Sequence, residues 1–323
     1  MSELYPLKFS PIFKEKIWGG KKINTILGKD YGDLANCGET WELSGVEGNI
    51  STVSNGDFSG KLLTELTDQF KGDLTGGSIF NHFNGEFPLL IKFIDANEDL
   101  SIQVHPDDKM AKARHNGFGK TEMWYILQAD EGATLISGFN REMNKEEYLQ
   151  HFNSGQLTEI LNEEKAKSGD VFYLPAGRVH TIGKGLLLAE IQQTSDITYR
   201  IYDFDRIDKD GNRRELHVDE ALDAIDFNHY REYKTKYEEE VNAANGIIST
   251  PFFTTNKLVL TETFEMDRSS LDCFKIYICV KGNGVVAGER LCFGEVLLVP
   301  AQFKSYTIEP EGTMELLETY IEL

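Results

Sequence analysis

Apolar residues along most of the chain fall in short runs rich in Ile, Leu, Val and aromatic side chains, bounded by polar or turn-forming residues. Four such runs follow one another at Leu89–Ile94, Ser101–Val104, Met123–Leu127 and Ala133–Ser137, and they predict successive strands. Strands are expected again at Val171–Leu174, Leu186–Gln192 and Thr198–Tyr202, with shorter ones at Thr40–Leu43 and Ile50–Val53. Residues 247–323 are also strand-rich. Helical spacing is confined to three stretches. Leu62, Leu63, Leu66 and Phe70 repeat at helical intervals within Lys61–Phe70. A second helix opens at Asn144, with Glu147 three residues on in a capping-box arrangement, and continues with a break near Gly155 to about Ala166. The third runs from His217 to about Ile225. The pattern predicts a mainly β protein with a few short helices.

One run occurs twice. Gly169-Asp170 turns the chain, Val171–Leu174 is a short apolar strand, and Pro175-Ala176-Gly177 is a rigid turn followed by a flexible point. Gly294-Glu295-Val296-Leu297-Leu298-Val299-Pro300 repeats Gly169–Pro175 with identical spacing, but Gln302 replaces Gly177 and Ser305 replaces His180. Upstream, Val280–Gly284 reads as a hairpin turn. A duplicated β fold is therefore expected, with its boundary near residue 240 in the charged stretch Tyr230–Val241. Residues 1–240 would form the first copy with helical additions, and residues 241–323 a degenerate second copy that lacks the His180 position. Asp205–Arg214 is a charged connection without core-forming residues.

Candidate chemistry gathers in the first copy. Gln103 and His105 lie two apart, so an extended strand directs both side chains to one face. Glu122 opens the next apolar run, and His180 stands just past the Pro175–Gly177 turn. Two imidazoles, a carboxylate and an amide on three strands and a turn suit a divalent metal. His82, His115, His151, His217 and His229 sit in polar or helical contexts and read as ordinary hydrogen-bonding residues. Cys37, Cys273, Cys279 and Cys292 show no CxxC spacing, and reduced thiols are expected.

Charge narrows the ligand classes. A formal charge of −20 opposes sequence-independent nucleic-acid binding, which needs a basic surface. An anionic small ligand would need a local basic pocket, for which Lys120 and Arg200 are the candidates. No apolar run reaches membrane-spanning length, and Met1–Lys8 lacks the layout of a signal peptide, so a cytoplasmic protein is expected.

The combination of Gly169, Pro175, Gly177 and His180 resembles the second motif of the cupin superfamily, whose members are jelly-roll β-barrels holding a metal. Longer motifs make the resemblance more specific: Trp18-Gly19, Ser101–Asp107, Gly119-Lys120-Thr121-Glu122, Pro175–His180, and Glu190–Asp196 leading into Thr198-Tyr199-Arg200. Together they resemble the short bacterial form of the type I mannose-6-phosphate isomerases over almost the whole chain. The resemblance implies two cupin-type barrels and a zinc enzyme interconverting mannose 6-phosphate and fructose 6-phosphate through an enediolate. One zinc per chain would be held by Gln103, His105, Glu122 and His180. Lys120, Glu190, Asp196 and Arg200 would line the catalytic cavity, with Ser101 near the substrate phosphate and Lys120 and Arg200 also contacting substrate. Many relatives carry His where this chain has Gly119, which weakens any relay through that neighbour. A monomer or weak homodimer acting on a phosphorylated hexose, without nucleic-acid or membrane partners, is expected. Two other readings stay open: a metal-dependent cupin oxygenase and a non-catalytic sugar-phosphate-binding cupin.

Overall fold

The computed structural model describes residues 3–207 and 211–323; Asp208, Lys209 and Asp210 of the charged connection lie outside them. Strands dominate, and the helices are short. The chain divides into two units, one of residues 13–40 and 91–235, the other of residues 1–12, 41–90 and 236–323. Residues 41–90 thus group with the C-terminal part, although the boundary read from sequence sets them with the first.

In the 13–40/91–235 unit, one sheet carries Lys234–Thr235, Val171–Leu174, Glu122–Ala129, Leu186–Gln193 and Leu89–Ala96 in that spatial order. The last strand belongs to this unit from Ile91 onward. A second sheet runs Tyr199–Tyr202, Ile102–Val104, His180–Ile182, Thr134–Phe139, Leu161–Lys165. Side chains from both sheets share a core that includes Trp18, Ile94, Trp124, Leu135, Phe172, Ile182 and Leu188. Leu186–Gln193 is buried at every residue. Burial on both faces is why it reads as a continuous apolar run and not as alternation.

The helix opening at Asn144 forms as expected over Lys145–Asn153, with the Asn144 side chain accepting from the Glu147 N–H. It does not continue to Ala166. Leu157–Ile160 is a single tight turn, and Leu161–Lys165 is a strand paired with Thr134–Phe139. Only Leu161 of that strand is buried, and the polar Asn162–Lys165 remainder occupies the edge of its sheet. Asp108–His115 is a helix that hydrophobic periodicity does not reveal. It starts on Asp107, whose carboxylate accepts from Met110 N–H, and stops at Asn116 in the left-handed region.

In the other unit, Ala244–Ser249, Thr254–Leu260, Met314–Tyr320, Lys275–Lys281 and Val296–Val299 form one sheet in that order. Phe264–Asp267, Ser305–Pro310, Asn283–Val286 and Glu289–Cys292 form another. Leu258, Met266, Tyr277, Leu297, Ile308 and Leu316 pack between them. Gly282 joins two strands that lie in different sheets, so the expected hairpin is a corner instead. Its φ is 73°, and a Cβ there would come within 2.1 Å of the Thr313 carbonyl oxygen. The sheets of both units are open. The barrels expected from the sequence are therefore pairs of sheets around a shared core. Among the described residues, no helix is long and apolar enough to cross a membrane.

Candidate metal centre

Register brings the sequence-predicted ligands together. In the second sheet His180 stands directly opposite Gln103, and Gln103 is also opposite Arg200 on its other side. In the first sheet Glu122 pairs with Leu174 and Gln192. The Pro175–Gly177 turn then leads the chain from Leu174 to His180. Gly177 sits at φ 89°, and its N–H donates to the His105 carbonyl at 2.9 Å, tying the turn to the strand end that presents His105. His105, Glu122 and His180 are fully buried, and one ligand atom from each lies within 4.8 Å of the others.

These atoms lie close enough together to face one small cation. His180 Nε2 is 3.3 Å from Glu122 Oε1, His105 Nε2 is 3.5 Å from Glu122 Oε2, and Gln103 Nε2 is 3.3 Å from His180 Nε2. Tetrahedral bonds of about 2.0–2.1 Å place ligand atoms about 3.3–3.4 Å apart. His105 Nε2 and Glu122 Oε1 are buried without a hydrogen-bond partner, a costly arrangement unless a cation takes their lone pairs, and Glu122 Oε2 faces the Lys120 ammonium. Both imidazoles are fixed from behind. His105 Nδ1 lies 3.0 Å from the Ile197 carbonyl, and His180 Nδ1 lies 2.8 Å from the Arg178 carbonyl. A neutral ring facing a carbonyl through Nδ1 carries its proton there, so both Nε2 lone pairs face the centre. Gln103 accepts a 3.4 Å hydrogen bond from the Ser101 hydroxyl. Rotating its amide by half a turn exchanges nitrogen for oxygen and directs Oε1 at the same point.

Charges around the group favour neutral imidazoles. Burial above all, then the Lys120 ammonium, holds His105 well below its usual range. Burial lowers His180 to about 4. Burial and the nearby Glu190 carboxylate push Glu122 up to about 7, against the pull of Lys120 and Lys92. Lys120 Nζ stands 3.3 Å from Glu122 Oε2 as an ion pair.

Beside these residues lies a buried ion pair that sequence reasoning missed. Lys92 Nζ donates to Glu190 Oε1 at 2.9 Å, and Trp124 Nε1 donates to Glu190 Oε2 at 2.9 Å. Burial raises the Glu190 carboxyl, but Lys92 and Lys120 outweigh it and hold the group below its ordinary value. The available sequence signal was a lone lysine inside Leu89–Ile94, a run otherwise apolar.

Arg200 is half-buried, and its Nη1 donates to the Glu215 carbonyl at 2.7 Å. Its Nε is buried without a hydrogen-bond partner. His217 and His115 support this strand, through the Arg200 N–H and the Tyr199 hydroxyl respectively. Ser101 is buried against Gln103, whereas Asp196 is exposed on the loop before Tyr199 and acts on Lys14. A Cβ at Gly119 would lie 2.5 Å from the Asp108 backbone nitrogen, so this backbone has no room there for a histidine or any other side chain. The Asp108 carboxylate accepts from Gly119 N–H and from Gln193 Nε2, and Gln193 Oε1 accepts from Thr121 N–H. That chain of bonds fixes Lys120 between two anchored neighbours.

Residues 6–137 match the family model described as "Phosphomannose isomerase type I, catalytic domain". Mannose-6-phosphate isomerase ManA of Bacillus subtilis is 35% identical, over 94% of this chain and 96% of that protein. The mannose-6-phosphate isomerase of Streptococcus mutans is 34% identical, over 98% of each. A crystal structure of the mannose 6-phosphate isomerase from Bacillus subtilis superposes with a TM-score of 0.88 at 35% identity, covering 98% of this chain and all of that one.

Proposed function

The chain belongs to the type I phosphomannose isomerase family, and on that premise we propose that it interconverts mannose 6-phosphate and fructose 6-phosphate at a zinc ion held by Gln103, His105, Glu122 and His180. The observation that carries the ligand assignment is the buried His105 Nε2 and Glu122 Oε1, which lack hydrogen-bond partners, gathered with His180 so that one ligand atom of each residue lies within 4.8 Å of the others. In this reading both sheet pairs are jelly-roll cupin folds. The first is catalytic, and the C-terminal one, residues 241–323, is metal-free.

Bound zinc would supply positive charge against the substrate oxygens at C1 and C2. The remaining chemistry falls to side chains. A proton leaves C2 of the aldose and returns to C1, while a hydroxyl proton passes from O2 to O1, through an enediolate. Arg200 remains protonated, so it stabilises the enediolate oxygens and orients the sugar. Glu190 is engaged at both oxygens by Lys92 and Trp124 and acts as a fixed negative charge. Lys120 adjoins Glu122 through a single 3.3 Å ion pair and carries the proton between the two carbons. Ser101 holds the Gln103 amide.

The direct test is formation of fructose 6-phosphate from mannose 6-phosphate by the purified, metal-loaded chain. Turnover that falls at least a hundredfold in Lys120→Met with KM little changed is expected. No turnover by the metal-loaded parent chain would overturn the reading.

A further inference from the structure

The C-terminal pair of sheets repeats the strand arrangement of the metal centre closely enough to be matched residue by residue through its registers. Val171, Phe172, Tyr173 and Leu174 pair with Tyr125, Trp124, Met123 and Glu122. Val296, Leu297, Leu298 and Val299 pair with Ile278, Tyr277, Ile276 and Lys275. Gly169–Pro175 and Gly294–Pro300 share their spacing, so Lys275 occupies the place of Glu122. One strand further, Glu190 is the partner of Trp124 and Glu318 the partner of Tyr277. Glu318 therefore occupies the place of Glu190.

The hydrogen bonds correspond as well. Glu190 accepts from an aromatic donor on one side and from Lys92 on the other. Glu318 accepts from the Tyr277 hydroxyl at 3.1 Å and from Asn256 Nδ2 at 2.9 Å, and it also takes Arg268 Nη2 at 2.6 Å. Both carboxylates are buried. The ligand set itself is lost. Ser305 pairs with Asp267 as His180 pairs with Gln103, which sets Ser305, Asp267 and Ser269 at the three remaining ligand positions. Asp267 is exposed and accepts from Ser269.

What replaces Glu122 is a reversed charge. Diagonal neighbours on adjacent antiparallel strands lie roughly 7–8 Å apart. In the first unit the diagonal pair is Glu122 and Glu190, two buried carboxylates whose repulsion the proposed divalent cation would offset. In the second the diagonal pair is Lys275 and Glu318, which attract. The Lys275 side chain is fully buried, and its Nζ has no hydrogen-bond partner, so packing alone does not explain an ammonium there. We infer that the Lys275 ammonium stands in for the metal: together with Arg268 it balances the buried Glu318, and the second sheet pair keeps the polar core of the site without an ion. Burial lowers Lys275 to about 8, which leaves it mostly protonated at neutral pH. Cys273 and Glu318 pull it upward, and Lys304 and Arg268 pull it downward.

The inference rests on the metal reading of Glu122, yet its test leaves that centre untouched, so either can fail alone. Lys275→Met, Glu318→Gln and the double variant of the full, metal-loaded chain are compared by denaturant unfolding. Lys275→Met should lower the folded-to-unfolded ratio at least tenfold more in the parent than in the Glu318→Gln background. An additive cycle would overturn the proposal. Should Lys275→Met fail to fold, the Lys275 amine can be titrated by NMR in the parent and in Glu318→Gln. A lower pKa in the variant supports the balance, and an unchanged one refutes it. A second tightly held metal per parent chain would also refute it, because ammonium and ion would claim the same place.

Discussion

Replacing Lys92 by methionine removes one partner of a pair that has almost no contact with water. The two side chains are 6% and 4% exposed and their charged atoms 2.9 Å apart. Glu190 would keep Trp124 Nε1 and lose the Lys92 ammonium that donates to its other oxygen. Breaking such a buried pair from one side destabilises by about 3–5 kcal/mol, because the remaining charge is uncompensated. With an m-value of about 2–3 kcal/mol per M urea, the unfolding midpoint should fall by about 1–2.5 M. Glu190→Gln in the same chain should recover much of that loss, since an amide can stay buried without a counter-charge. Urea unfolding followed by circular dichroism reads both numbers. The pH dependence follows from the signs. Glu190 lies below its ordinary 4.5 in the folded state, so its contribution is complete above that value and drains away as pH falls through the folded one. Lys92 lies above its ordinary 10.5, where burial is outweighed by Glu190 and Glu39, so its share persists through neutral pH and is lost only at higher alkalinity. A Lys92→Met loss under about 1 kcal/mol at pH 7, or one that persists unchanged at pH 3, would refute this reasoning.

Gly119→Ala forces its Cβ against the Asp108 backbone; stability should fall by about 1–3 kcal/mol and kcat should fall with it as Lys120 shifts, checked by thermal unfolding and steady-state kinetics. Asn144→Ala deletes the cap of Lys145–Asn153 and should lower stability by about 1 kcal/mol without changing turnover. Arg200→Ala should reduce kcat more than it raises KM, and the reverse pattern would assign Arg200 to ground-state binding. In deuterated water, the mannose 6-phosphate product should gain deuterium at C2, and full retention of the substrate's own hydrogen under conditions that prolong the intermediate would contradict proton transfer.

The convergence of His105 and His180, with Gln103 beside them, was legible because their positions depended on local rules. The two-residue period of a strand set Gln103 and His105 on one face, and the Pro175–Gly177 turn set the position of His180. Lys92 depended on no local rule. It and Glu190 are 98 residues apart, and only the lateral order of the strands brings them together. Asp108–His115 lacks an apolar stripe because a single residue of it, Ala111, is buried, which left the Asp107 cap as its one sequence signal. Leu161–Lys165 carries the polar composition of an edge strand, which resembles a solvated helix when read alone. The corner at Gly282 and a hairpin at Gly282 require the same residue, and only the sheet assignment of the flanking strands separates them.

Metal content and activity measured together on one preparation test the account most directly. The purified chain, freed of metal with a chelator, should lose conversion of mannose 6-phosphate to fructose 6-phosphate and regain it on addition of one equivalent of zinc per chain. Glu122→Gln and His180→Ala should stay folded while neither retaining the ion nor recovering activity. Full isomerase activity in protein shown to be metal-free would contradict the central claim.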